Sequence, residues 1–126
     1  MAPADTGRVT VGSTSSVAAQ DAASVLADAW RRYAVTAAER LEVLDEAASA
    51  LGAGRLDEEL RDRAAAEAHR LAGSLGMFGV PEGSLLALEC EHTLRADGPL
   101  GAIQGAQIVA LTGGIRRELA ASSGPE

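Results

Sequence analysis

The chain has 126 residues, a length that fits one domain. Eleven basic against eighteen acidic residues leave a net charge of −7, which argues against nucleic acid and anionic lipid as partners because both select a basic face. Hydrophobic residues make up 47% but aromatic ones only 2%, so the core has to be built from Ala, Leu, Val and Ile, and Val and Ile never alternate for a strand's length.

No apolar run approaches a membrane span. The N-terminus lacks the charged start and apolar stretch of a signal peptide. The single cysteine, Cys90, excludes an internal disulfide and suits a reducing compartment. A cytoplasmic protein is expected.

Residues 1–16, rich in Ala, Gly, Ser and Thr, read as a flexible leader. A helix is expected from about Asp21 through Tyr33, with Leu26 and Trp30 at helical spacing, and a second stretch over Thr36 to Leu51. Whether the two are continuous is open. Gly52-Ala53-Gly54 ends the second. The next helix runs from about Asp57 to Leu75, with Asp57, Glu58 and Glu59 in its first turn and an inner stripe of Leu60, Ala64, Ala68, Leu71 and Leu75. Pro81 opens a further helix with Leu86, Cys90 and Leu94 inward.

Asp97-Gly98-Pro99 is a turn. The last helix carries Leu100, Ile103, Ile108, Leu111, Ile115 and Leu119, and is expected to kink or stop at Gly113-Gly114. Residues 122–126 read as a flexible tail. Short connections imply antiparallel neighbours. The expected fold is all-α: an antiparallel up-and-down four-helix bundle over residues 17–121 with an additional N-terminal helix.

His69 lies at or beyond the border of the inner stripe. Its neighbours three and four positions away are Ala65, Ala66, Ala72 and Gly73, with Gly76 one turn further. All are small, so no local side chain covers the ring. Gly73, inside a continuing helix, serves either space beside the imidazole or close helix packing. A neutral imidazole is available near pH 7 as a nucleophile, which suits group carriage without a triad.

The run His69-Arg70-Leu71-Ala72-Gly73-Ser74-Leu75-Gly76-Met77-Phe78-Gly79 resembles the signature of histidine phosphotransfer (HPt) domains, and the likeness continues into Leu86, Cys90-Glu91 and Arg95. It covers about residues 58–95. The resemblance implies a phosphocarrier of two-component phosphorelays, with no catalytic turnover of its own. His69 matches the phosphoacceptor, and Gly73 the glycine that makes room beside it. Glu91 matches a position where the family often has Gln or Glu close to the ring. A carboxylate there accepts a hydrogen bond from one ring nitrogen and frees the other. The alternative for Glu91 is an exposed pair with Arg95, and the two readings stand level.

One position departs from the signature: Ala72 stands where the family has a lysine. Arg70 is next in sequence to His69 but points about 100° away around the helix. It is either a supporting charge that reaches back or a solvated one.

The implied partners are a response-regulator receiver domain and a sensor histidine kinase. The receiver is expected to dock over Ala65, Ala66, Ala72, Gly73 and Gly76 and to bring the divalent metal; no cofactor is expected on this chain. The alternative is an adaptor of the same fold that binds without carrying phosphate. His92 lacks a following glycine and reads as a solvated histidine. Glu89, Cys90, Glu91 and His92 point in successive directions and cannot converge on one metal ion.

Overall fold

The computed structural model describes the backbone of residues 2–122 and the side chains from Val17 onward. It contains α1 (Ala2–Gly52), α2 (Glu58–Met77), α3 (Pro81–Arg95) and α4 (Ala102–Ala121), with no strand among the described residues. Each helix packs on its neighbours in sequence, and α1 closes the ring on α4.

The cross-helix bonds give the directions. Arg40 on α1 pairs with Glu67 on α2, while the later Glu46 pairs with the earlier Arg63. Ser84 on α3 reaches Ala72, while Arg61 reaches Leu94. Asp45 holds Arg116 of α4 through two hydrogen bonds. The architecture is an antiparallel up-and-down four-helix bundle.

The two N-terminal stretches form one helix. No proline or glycine falls between Asp21 and Leu51, so nothing interrupts the backbone ladder. The additional helix is therefore the front of α1 and not a separate element. At 1.5 Å per residue α1 is about 76 Å long, against roughly 30 Å for α2. Tyr33 is the first buried residue among those described, so α1 runs past the bundle before joining it. The expected leader falls on α1 from Ala2 onward. Its side chains and the tail residues 123–126 lie outside the described residues.

Asp57 caps α2, accepting from the Leu60 amide at 2.7 Å. Gly79, at φ +77, closes the other end, where the Val80 amide returns to the Leu75 carbonyl at 2.8 Å. Pro81 opens α3 where its missing N–H is harmless. Leu41, Leu44, Leu71, Leu75, Leu94, Ile108 and Ile115 are fully buried, each contributing about 1.5–3 kcal/mol. Trp30, Tyr33 and Phe78 pack ring to ring at the end of the bundle beneath the α2–α3 turn. The Tyr33 hydroxyl lies 2.6 Å from Ser74 Oγ, and burial, partly offset by Ser74 and Arg40, pushes its pKa up.

The stop considered at Gly113-Gly114 does not occur. The helix runs through Gly113-Gly114 to Ala121. A Cβ on Gly114 would come within 2.9 Å of Leu86 Cδ1, and one on Gly105 within 3.1 Å of the Ala48 carbonyl. These glycines let α4 lie close to its neighbours. Ile103 is exposed, and the buried side of α4 is set by Gly105, Ile108, Thr112 and Ile115.

Candidate functional site around His69

His69 sits in the middle of α2 with 71% of its side chain exposed. At 100° per residue, Ala66 and Gly73 flank it on one side and Ala65 and Ala72 on the other. The sequence cannot say which side a second helix covers. The structure places α3 on the side of Ala65 and Ala72, which are 2% and 7% exposed. Those two residues belong to the core and are not available to a visiting protein. The open face is made by Gly73 and Gly76, which are exposed, with the half-buried Ala66 beside them.

A Cβ on Gly73 would meet nothing within 4 Å. The close-packing explanation for this glycine therefore fails, and open space beside the imidazole remains.

Glu91 approaches from α3. Its Oε1 lies 3.0 Å from His69 Nδ1, and its Oε2 accepts from Arg95 Nε at 2.8 Å. The two contacts weighed for Glu91 are thus both present, one on each oxygen. Its side chain is only 15% exposed. Burial pushes its carboxyl pKa up, but the bonds and charges of Arg95 and His69 outweigh this and hold it below the ordinary range. An ionised carboxylate only accepts, so Nδ1 carries the proton. In the neutral ring the lone pair is then on Nε2, on the far side of an exposed ring.

Arg70 does not join this group. It pairs with Glu67, whose other oxygen lies 3.4 Å from Arg40 Nε on α1. The 100° step around α2 carries Arg70 to the α1 seam. The cation that touches the His69–Glu91 pair is Arg95.

His92 stands apart, in a groove of about 390 Å³ between α3 and α4 with Glu89, Thr93, Gln107, Ala110 and Leu111. Cys90 is buried, and burial with the charge of Glu89 pushes its thiol up to about 12, so it stays protonated. Among the described residues no three His, Cys, Asp or Glu side chains are grouped to hold a metal ion. No helix among them is long and apolar enough to cross a membrane.

Sequence reasoning missed Arg61 and Ser84, which tie α3 to α2 through main-chain carbonyls. Backbone acceptors leave no trace in the residue pattern.

The model of the Hpt domain family matches residues 28–122, about three quarters of the chain. The match takes in α2, α3 and α4 whole and α1 from Asp28 onward. Comparisons with curated proteins and with solved structures each give no match. The chain belongs to the Hpt domain family, the histidine phosphotransfer modules of two-component phosphorelay signalling.

Proposed function

We propose that the chain is a phosphocarrier that accepts a phosphoryl group on His69 and exchanges it with receiver-domain aspartates. The observation that carries this reading is the exposed imidazole with Nδ1 engaged by Glu91 and Nε2 free.

The Nε2 lone pair attacks the phosphorus of a partner's phosphoaspartate. An N–P bond forms, the acyl P–O bond breaks, and the aspartate leaves as a carboxylate. The ring becomes a cation, and the Glu91 carboxylate on Nδ1–H stabilises it through a charge-assisted hydrogen bond. Gly73 and Gly76 give the tetrahedral phosphoryl group and the partner's backbone room to approach. The receiver brings the divalent metal that balances the phosphoryl charge. A sensor kinase is the other donor this chemistry allows.

A second reading, an adaptor that binds a receiver without carrying phosphate, is favoured by Ala72. The family lysine is replaced there by a side chain buried against α3. Incubation with a phosphorylated receiver separates the two. A carrier takes up a base-stable, acid-labile phosphate while the receiver loses its own. An adaptor forms a complex and takes up none.

A further inference from the structure

We propose that Arg61 and Ser84 are positioning residues: they pin α3 to α2 on either side of Glu91 and so hold its carboxylate on His69. This rests on the reading of His69 as the working residue.

The α2–α3 seam needs such pins. The buried face of α2 is Ala64, Ala65, Ala68, Leu71, Ala72 and Leu75, and α3 answers with Gly83, Ala87, Cys90 and Leu94. Six of these ten are alanine or glycine, which let two helices come close but add few knobs that resist sliding or rotation. Packing sets the distance between the helices more firmly than their register. The bond from Nδ1 to Oε1, at 3.0 Å, tolerates little sliding, because hydrogen bonds weaken steeply with misalignment.

Two hydrogen-bonded contacts supply the register. At one end Ser84 Oγ donates to the Ala72 carbonyl at 2.6 Å. Ala72 lies three residues beyond His69 on α2, and Ser84 seven before Glu91 on α3. At the other end Arg61, eight residues before His69, grips the end of α3. Its Nε donates to the Leu94 carbonyl at 2.6 Å, its Nη1 to Gly98 at 3.2 Å and its Nη2 to Ala96.

The Leu94 carbonyl is among the last four of α3, which have no partner inside the helix. The rigid guanidinium fork fixes both the position and the rotation of that end, which a lysine on a flexible stem cannot do. Glu91 lies between the two pins. Both pins bond to main chain, so they set the register of the helix itself and not the placement of one side chain.

A plain helix cap would leave the His69 ring unaffected, and this separates the proposal from a merely structural role. The test is the nitrogen NMR spectrum of His69 in the full chain with the ring neutral, which reads the share of Nδ1–H tautomer. Arg61→Lys and Ser84→Ala are compared with wild type and Glu91→Ala, with helical circular dichroism as the control for folding. Each variant is expected to move the His69 spectrum toward that of Glu91→Ala. Neither is expected to move it further when built on Glu91→Ala.

A wild-type His69 spectrum in either folded variant overturns the proposal. So does a further shift on the Glu91→Ala background, because the residue would then act without Glu91. Ser84→Ala removes one hydrogen bond and keeps the test decisive if Arg61→Lys fails to fold. No phosphoryl donor is present, so the result is independent of whether the chain carries phosphate.

Discussion

His69 and Glu91 meet across the α2–α3 seam, ring nitrogen to carboxylate oxygen at 3.0 Å, with the histidine exposed and the glutamate largely covered. As a carboxylate acceptor, Glu91 favours the Nδ1–H tautomer of the exposed ring. That asymmetry places a proton acceptor behind the ring and leaves the front to a visitor.

Glu91→Gln keeps the shape and removes the charge. The folded Glu91 carboxyl has a lowered pKa. Its contribution to stability is therefore fully present above the unfolded value of roughly 4.3 and is lost as the pH falls through the lower folded value. The melting temperature of wild type should converge on that of Glu91→Gln across this acidic window, and melting curves at stepped pH check it. Phosphoryl uptake by Glu91→Gln should fall only modestly at neutral pH, because the amide oxygen still accepts from Nδ1–H but no longer offers a negative charge to the ring cation formed on transfer.

Gly73 and Gly105 should respond oppositely to alanine. Gly73 has open space around its missing Cβ, so Gly73→Ala should stabilise the chain by about 0.5–1 kcal/mol through helix propensity. The same methyl narrows the approach to His69 and should slow phosphoryl transfer. Gly105 faces the Ala48 carbonyl and Leu51 Cβ, both at 3.1 Å from its built Cβ. Gly105→Ala must push α4 off α1, at a cost of about 1–3 kcal/mol that offsets or exceeds the propensity gain. Chemical denaturation of the two variants side by side measures both.

Arg95 is the cation that touches the His69–Glu91 pair, in a chain where Ala72 supplies none. Arg95→Gln should slow phosphoryl uptake about three- to tenfold, the scale of one charge-assisted bond reduced by solvent at a half-exposed side chain. Single-turnover transfer from a phosphorylated receiver measures it. The same variant should raise the Glu91 pKa toward the ordinary carboxylate range.

The helices that carry the site were legible because their signals are local. Asp57 before a run of glutamates, Pro81 after Gly79, and leucines at helical spacing are read from one segment at a time. His69 among small neighbours was legible in the same way. What failed depended on other helices.

Ala65 and Ala72 were indistinguishable from Ala66 and Gly73 until α3 chose a side. Gly113-Gly114 signalled a break until Leu86 gave Gly114 a packing role. Arg70 was drawn off by Glu67, and Arg61 bonds to carbonyls that no residue letter encodes. Periodicity gives the faces of a helix, but tertiary packing decides which face is covered.

The central claim is that phosphate is carried on His69 through Nε2. The most direct measurement locates the label after incubation with a phosphorylated receiver, by phosphorus–nitrogen NMR on wild type and by uptake in His69→Gln. The account predicts phosphate on His69 Nε2, and no uptake by the variant at unchanged helical content. Label persisting in His69→Gln, or found on His92, would contradict it.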